Sequence, residues 1–215
     1  MPATLFDFNG VLVDDEAVHL AAFREVLRPL GVTFTDHAYE ERYLGYDDAG
    51  AFRAMLEDAG RKPTDEDVAR LIEAKKPVYM DRIAAELRIF EGAAAIVSRR
   101  ATLGKVGIVS GALRHEIEHA LGVMGVRDAV AFIVAAEDTT RCKPDPEGYE
   151  LGVRALGSRD AVVIEDSLAG VAAAKHAGLR CAAVAHSYPA DRLVKAGADV
   201  VVATLPELTD ALLDG

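Results

Sequence analysis

From about residue 92 onward, short apolar runs rich in β-branched residues alternate with stretches of helical periodicity. The predicted strands cover residues 106–110, 131–135, 161–165, 181–185 and 199–202, and the predicted helices cover residues 113–121, 146–156, 168–177, 191–196 and 205–213. The glycines that we expect to end helices are Gly122, Gly157, Gly178 and Gly197. This alternation is typical of a parallel sheet with helices on both faces, so we predict an α/β fold with a doubly wound, Rossmann-like parallel sheet.

Residues 16–88 follow a different pattern. Apolar residues such as Val18 and Ala22 recur at helical spacing, with charged residues between them. Strand-like alternation is almost lacking in this segment of the sequence. We therefore predict a helical domain of residues 16–88 that is inserted after the first strand, and a core formed by residues 1–15 and 89–215.

The composition indicates a globular protein. Hydrophobic residues make up 51% of the 215 residues, but no apolar run approaches the ~18 residues of a membrane helix. Cys142 and Cys181 do not suggest a disulfide framework, and residues 1–4 lack the basic start of a signal peptide, so we expect a cytoplasmic protein. The net charge of −11 disfavours nucleic acid and anionic membranes as partners. We expect a monomer.

Polar residues lie where three of the apolar runs end. They are Asp7, then Ser110, which is followed by Gly111, and the pair Glu165 and Asp166. A fourth feature is Lys143, which lies just before Pro146, the proline that opens the helix predicted at 146–156. Because open α/β sheets bind ligands at the carboxyl ends of their strands, the strand-end residues are candidates for one common site.

In this order, the strand-end aspartate, the strand-end serine, the loop lysine and the Glu-Asp pair resemble the four motifs of the haloacid dehalogenase-like superfamily. The Lys-Pro-Asp-Pro segment at 143–146 and the Glu-Asp-Ser-x-x-Gly segment at 165–170 resemble its β-phosphoglucomutase-like phosphatase branch. The resemblance spans nearly the whole chain. It implies that the helical insertion is a mobile cap that closes over an active site on the core.

The resemblance also implies roles for the strand-end residues. Asp7 would attack phosphorus in line and form an aspartyl-phosphate, which divides one difficult displacement into two easier ones. Ser110 and the backbone N–H of Gly111 would bind the phosphate at a helix start. Lys143 would place a positive charge beside the phosphate and Asp7.

A metal site is expected around the same carboxylates. The ligands would be Asp7, the backbone carbonyl of Asn9, Asp166, and Glu165 either directly or through water. Three converging carboxylates would repel each other without a cation, and hard oxygen ligands beside a phosphate suit Mg²⁺.

Substrate contacts are expected from the helical insertion. His19 lies on its first predicted helix, where the phosphatase branch often has a substrate-contacting histidine, although a structural histidine fits the position equally well. A glycine-centred break between two predicted helices resembles the family's substrate-specificity loop. It contains Arg42, Gly45, Tyr46 and Asp47.

The chain departs from the family pattern at Asn9, where phosphatases and mutases carry an aspartate that acts as general acid and base. An amide can donate a hydrogen bond but cannot exchange a proton at neutral pH. The first hypothesis is therefore a Mg²⁺-dependent phosphatase of a small phosphorylated metabolite, slow or using His19 or Asp15 as proton carrier. The alternatives are a sugar phosphomutase similar to β-phosphoglucomutase, and a phosphometabolite-binding protein with little turnover.

A competing zinc motif is present at residues 115–119, which fit the His-Glu-x-x-His pattern, with Glu137 as a conceivable third ligand. The segment is charged on most sides and follows the predicted strand that ends at Ser110. We therefore interpret it as the exposed face of a helix. The sequence contains neither a P-loop nor a Gly-x-Gly-x-x-Gly fingerprint, which disfavours nucleotide-binding folds of those classes.

Overall fold

The computed structural model describes residues 2–44 and 46–215. The chain divides into two compact units, which we call the core unit, Met1–Asp14 with Arg88–Gly215, and the helical unit, Asp15–Leu87. The junctions fall one residue before each predicted boundary. That the helical unit acts as a cap stays a prediction.

The core unit contains a six-stranded parallel sheet in the order β5-β4-β1-β6-β7-β8. Its strands are β1 (Ala3–Phe6), β4 (Val106–Val109), β5 (Phe132–Val134), β6 (Ala161–Glu165), β7 (Arg180–Val184) and β8 (Val200–Val202). The sheet is flanked by α5 (Ala93–Leu103), α6 (Arg114–Val123), α7 (Glu147–Leu156), α8 (Leu168–His176), α9 (Ala190–Ala196) and α10 (Asp210–Asp214). The predicted α/β fold is confirmed.

The strand order has a consequence for the position of a site. After β1 the chain adds β4 and β5 on one side, and it then returns to add β6, β7 and β8 on the other side. The neighbouring strands β1 and β6 therefore lie where the direction of winding reverses. In doubly wound sheets the crevice for ligands opens at the carboxyl ends of such a pair.

Burial explains why the central strands were recognisable in the sequence. All residues of β4 and β6 are buried, and β1 is buried from Thr4 to Phe6. A strand covered by helices on both faces reads as a continuous apolar run instead of an alternating one. The polar exceptions are Glu165, which ends β6, and Thr4. The hydroxyl of Thr4 accepts a hydrogen bond from Nε of the buried Arg100 at 2.9 Å.

Two of the local predictions were wrong. The helix predicted at 205–213 is split into a short 3-10 turn, Leu205–Glu207, and α10, which begins after the capping residue Thr209. Gly122 does not end α6, since that helix continues to Val123. Gly157 and Gly197 are confirmed as left-handed C-caps of α7 and α9.

The helical unit is built from α1 (Glu16–Leu27), α2 (Asp36–Arg42), α3 (Asp48–Asp58) and α4 (Asp65–Glu86). Its apolar cluster includes Phe23 and Leu27 of α1 together with Phe52 and Met55 of α3. These spacings of three and four residues place the side chains on one helix face. Two strands of the core unit, β2 (Val13–Asp14) and β3 (Arg88–Ile89), pair antiparallel at the two junctions. Among the helices of the described residues, none is sufficiently long and apolar to span a bilayer.

Candidate active site

Asp7 directly follows β1, and its backbone N–H donates to the carbonyl of Ile164 on β6 at 2.9 Å. The chain then turns back sharply, with the N–H groups of Gly10 and Leu12 donating to the carbonyls of Val13 and Phe8. We call residues 8–13 the nucleophile turn, after the role that the family resemblance implies for Asp7. The turn holds Asp7, which is 7% exposed, at the carboxyl edge of the sheet.

Gly10 is required in this turn for two reasons. Its φ of 74° lies in the left-handed region, which other residues rarely adopt. A Cβ at this position would also lie only 2.0 Å from Oδ2 of Asp166. The turn after β1 and the carboxylate after β6 are therefore packed against each other.

Lys143 joins the two neighbouring strands. Its Nζ donates to Oδ1 of Asp7 at 2.6 Å and to Oε1 of Glu165 at 2.6 Å. The side chain of Glu165 is fully buried, while that of Lys143 is 18% exposed. Burial disfavours the ammonium ion, but the Asp7 and Glu165 carboxylates outweigh that effect and raise the pKa of Lys143. Lys143 is therefore a fixed positive charge beside Asp7.

Glu165 is held by five hydrogen bonds from described residues. Oε1 accepts from Lys143 and from the Tyr149 hydroxyl at 2.8 Å, and Oε2 accepts from the N–H of Asp166, the N–H of Ser167 and the Ser167 hydroxyl. Because both of its oxygens accept hydrogen bonds, the Glu165 carboxylate is fixed in an orientation that binds Lys143. Any contribution of Glu165 to a metal site fits a water-mediated contact better than a direct one.

Tyr149 was missed by the sequence analysis. It is fully buried in α7, and its ring lies 5.1 Å from Nζ of Lys143, a cation–π distance. Its position three residues after Pro146 looks like an ordinary apolar helix position. No motif in the sequence distinguishes it from a core tyrosine.

Gly170, in the first turn of α8, leaves room for Glu165, since an added Cβ would lie 1.7 Å from Oε1. We expect Gly170→Ala to lower the free energy of unfolding by about 1–3 kcal/mol through overpacking. This outcome opposes helix propensity, which favours alanine by about 1 kcal/mol. The measurement is chemical denaturation.

The matched control is Gly122→Ala in α6, where an added Cβ has no neighbour within 4 Å. We expect the free energy of unfolding of this variant to rise by about 0.5–1 kcal/mol, because alanine has a higher helix propensity than glycine. If Gly170→Ala gained stability in the same way, the close packing of Glu165 on α8 would be contradicted.

Asp7, Glu165 and Asp166 form the acidic cluster of the site. One carboxylate oxygen from each lies within 4.8 Å of the others, and all three residues are buried. Burial, followed by the charges of Glu165 and Asp7, raises the pKa of Asp166 well above its usual value. The Ser187 hydroxyl donates a hydrogen bond to Oδ2 of Asp166.

The other two carboxyl groups respond differently to the same surroundings. Burial raises the pKa of Asp7 to about 6, although Lys143 acts in the opposite direction. Burial also opposes ionisation of Glu165, but the charge and hydrogen bond of Lys143 outweigh it, and the pKa of Glu165 is lowered. Three buried acids thus share one ammonium, and a divalent cation would offset the remaining repulsion. The oxygen donor set fits Mg²⁺.

Ser110 directly follows β4 and lies beside the nucleophile turn. Its hydroxyl accepts from the N–H of Ala112 at 3.2 Å and donates to Oδ1 of Asn9 at 3.4 Å. Gly111, the next residue, is exposed. The sheet therefore brings Asp7, Asn9 and Ser110 to one edge, together with Lys143, Glu165 and Asp166.

In the helical unit, His19 belongs to a buried polar network. Its Nε2 lies 3.2 Å from Oδ2 of Asp15, and its Nδ1 lies 2.7 Å from Nζ of Lys75. Lys75 is only 1% exposed and also donates to Asp48. Burial and Lys75 lower the pKa of His19, but Asp15 and Asp48 raise it by more. Lys75 was not predicted from the sequence, where it is one of several charged residues on a long helix.

The predicted specificity loop separates α2 from α3. Arg42 forms an ion pair with Asp58, and Asp47 caps α3 by accepting from the N–H of Gly50 at 2.7 Å. Tyr46 is 52% exposed. Gly45 lies outside the described residues.

The zinc alternative receives no support from the geometry. The carboxylate of Glu116 turns back and accepts from the N–H of Leu113 at 3.0 Å, while His115 is exposed. The backbone N–H of Arg114 donates to Glu137. Within residues 2–44 and 46–215, the one group of acids, histidines or cysteines arranged to hold a metal is Asp7, Glu165 and Asp166.

Comparison with known proteins agrees with this geometry. The family described as haloacid dehalogenase-like hydrolase matches residues 4–184. Validoxylamine A 7'-phosphate phosphatase of Streptomyces hygroscopicus subsp. limoneus is 28% identical over 219 residues, covering 95% of this chain and 94% of the relative. The structure of CbbY from Rhodobacter sphaeroides in complex with phosphate has a TM-score of 0.88 at 28% identity over 100% of each chain. A mutant of that protein in complex with xylulose-(1,5)bisphosphate has a TM-score of 0.87 at 28% identity, again over 100% of each chain.

Proposed function

Since the chain belongs to the haloacid dehalogenase-like hydrolase family, we propose that it is a Mg²⁺-dependent phosphatase of a small phosphorylated metabolite. The observation that carries the proposal is Lys143, whose ammonium bridges Asp7 and Glu165 beside Asp166. In this arrangement the carboxylate of Asp7, the proposed nucleophile, lies against a fixed positive charge at the carboxyl edge of the sheet. A phosphate ester is a substrate that needs both groups.

In the first step, an oxygen of Asp7 attacks phosphorus and forms an acyl-phosphate bond as the bond from phosphorus to the leaving oxygen breaks. In the second step, water attacks the same phosphorus, and the bond to Asp7 breaks. The products are inorganic phosphate, the free alcohol or acid, and the regenerated Asp7 carboxylate. Lys143 partly neutralises the charge on Asp7 and on the transferred phosphoryl group.

The metal would be held by Asp7, Asp166 and the backbone carbonyl of Asn9. When bound, Mg²⁺ supplies positive charge against the phosphate oxygens. Ser110 and the N–H of Gly111 follow the end of β4 and would bind the same phosphate. Glu165 orients Lys143 and keeps it charged.

Asn9 sets the expected substrate preference. Its amide is a hydrogen-bond donor for the leaving oxygen but cannot supply a proton. General acid–base catalysis typically contributes ~10²–10⁴-fold, which is about 3–5 kcal/mol of barrier. We therefore infer slow turnover of sugar phosphates, whose alkoxide leaving groups need a proton, and faster turnover of acyl and aryl phosphates.

The class of substrate is supported by the relatives. One is named a validoxylamine A 7'-phosphate phosphatase, and another was crystallised with xylulose-(1,5)bisphosphate. We propose that this chain likewise acts on a phosphorylated sugar or polyol, with Arg42, Gly45, Tyr46 and Asp47 forming the specificity loop and His19 contacting substrate.

The test is phosphate release from a panel of phosphoesters whose leaving groups have graded pKa values, with Mg²⁺ or with EDTA. Mg²⁺-dependent release that rises as the leaving-group pKa falls supports the proposal. Isomerisation of glucose 1-phosphate without phosphate release would favour a mutase instead. Binding of phosphometabolites with no turnover on any ester would favour a binding protein.

Mg²⁺ should also stabilise the folded protein, because a ligand that binds only the folded state raises its stability. At a concentration of 100 times Kd the gain is ~2.7 kcal/mol. At ~2–4 °C per kcal/mol for a chain of this size, the melting temperature should rise by about 5–10 °C. The measurement is thermal unfolding with Mg²⁺ against EDTA, and Asp166→Ala should abolish the shift. A wild-type melting temperature that does not respond to Mg²⁺ would count against the metal site.

A further inference from the structure

The segment that connects β7 to α9 carries two polar residues with no role in the proposed chemistry. His186 and Ser187 follow β7 by two and three residues, next to the carboxyl end of β6. The segment is anchored at its start, where the N–H of Ala185 donates to the carbonyl of Val202. Both residues are partly buried and contact the site described above.

Ser187 contacts the metal-binding carboxylate directly. Its hydroxyl donates to Oδ2 of Asp166, the same oxygen that approaches Gly10. Asp166 follows a buried strand, and among the described residues Ser187 is the hydrogen-bond donor to its side chain. A donor fixed on one oxygen restricts rotation of the carboxylate and leaves the other oxygen as a ligand for a cation.

His186 contacts the nucleophile turn. Its Nδ1 lies 2.8 Å from the carbonyl oxygen of Gly10. Because a carbonyl only accepts, Nδ1 must carry the proton in this contact. The carbonyl held in this way is one residue from the Asn9 carbonyl that is proposed to bind the metal.

The imidazole of His186 is itself held in place by stacking. It lies on the ring of Phe90 with centroids 3.9 Å apart and an interplanar angle of 18°. The N–H of Phe90 donates to the carbonyl of Leu12, which is also in the nucleophile turn. Phe90 and His186 therefore support the turn at Leu12 and at Gly10.

From these contacts we propose that His186 and Ser187 are positioning residues for the metal site. Ser187 orients the Asp166 carboxylate, and His186 holds the nucleophile turn so that the Asn9 carbonyl faces the same point. The inference rests on the proposed function, because it assumes that the cluster binds Mg²⁺. Removing a side chain that hydrogen-bonds to a metal ligand typically lowers the metal affinity by ~10–100-fold.

The test is Mg²⁺ binding measured by isothermal titration calorimetry on the metal-free protein. We expect Ser187→Ala to raise the Kd for Mg²⁺ by ~10–100-fold, and Ser187→Thr, which keeps the hydroxyl, to restore most of the affinity. His186→Ala should also weaken binding, while His186→Asn, which keeps a donor close to the position of Nδ1, should retain more affinity than alanine. The matched control is Ser158→Ala, which removes an exposed hydroxyl that accepts from the N–H of Asp160, and its Kd should equal that of wild type.

A role in the fold alone predicts a different result. It would lower the melting temperature of the metal-free protein without changing the Kd for Mg²⁺, and kcat at saturating Mg²⁺ would fall in proportion to unfolding. If wild type binds Mg²⁺ and Ser187→Ala binds it equally well, the inference is overturned and the proposed function stands. If wild type itself does not bind Mg²⁺, both fall together.

Discussion

Asp7→Asn is expected to abolish phosphate release, with kcat/KM lower by about 10⁴–10⁶-fold. Loss of a catalytic nucleophile usually lowers the rate by a factor of this size. The amide is a poor nucleophile and cannot form the acyl-phosphate on which both half-reactions depend. The fold should survive, because the substitution also removes one of three mutually repelling buried carboxylates. The measurement is kcat/KM for an aryl phosphate, with far-UV circular dichroism to verify the fold.

The control for this variant is Asp160→Asn, which changes an exposed carboxylate just before β6, at the opposite end of that strand from Glu165. Its kcat/KM should equal that of wild type. Trapping of a radiolabelled phosphoenzyme from an acyl phosphate in wild type, and its loss in Asp7→Asn, would identify the acceptor. A correctly folded Asp7→Asn protein with wild-type activity would show that Asp7 is not the nucleophile.

Asn9→Asp is expected to raise kcat/KM for sugar phosphates by about 10²–10⁴-fold, which is the usual contribution of a positioned general acid and base. Asn9 lies two residues after the nucleophile, and its side chain contacts Ser110 at the same edge of the sheet. A carboxylic acid there would protonate the leaving oxygen and then deprotonate the attacking water. The increase in kcat/KM should be smallest for acyl phosphates, because their leaving groups depart without a proton.

The measurement is the slope of log kcat/KM against leaving-group pKa, which should be steep for wild type and shallow for Asn9→Asp. Asn9→Ala keeps the backbone carbonyl and removes the amide, so its slope should be at least as steep as that of wild type. An unchanged or lower rate for Asn9→Asp on every ester would mean that another residue carries the proton. His19 would then be the next candidate for substitution.

The sheet and the edge of the site were predictable from local pattern. The buried strands β4 and β6 are continuous apolar runs, because helices cover both of their faces. Parallel strands bring their carboxyl ends to a common edge, so Asp7 and Glu165 could be placed together although they are 158 positions apart in the sequence. Lys143 was placed there by resemblance to a family, since a lone lysine in a loop carries no such signal.

Only the tertiary structure decided which side chains contact Glu165 and which contact Asp166. Adjacent residues at a strand end point in different directions, and the sequence does not tell which one faces the metal and which one the lysine. The structure surrounds Glu165 with Lys143 and Tyr149, while Ser187 reaches Asp166.

The sequence by itself determined which segments are buried and where polar residues end a strand, because burial on a regular element repeats with the period of that element. The partners Tyr149, His186 and Ser187 were decided by the tertiary structure. Each comes from a helix or loop whose distance from the site depends on crossover connections and loop conformation. These are long-range properties of the chain, so a local pattern of residues does not encode them.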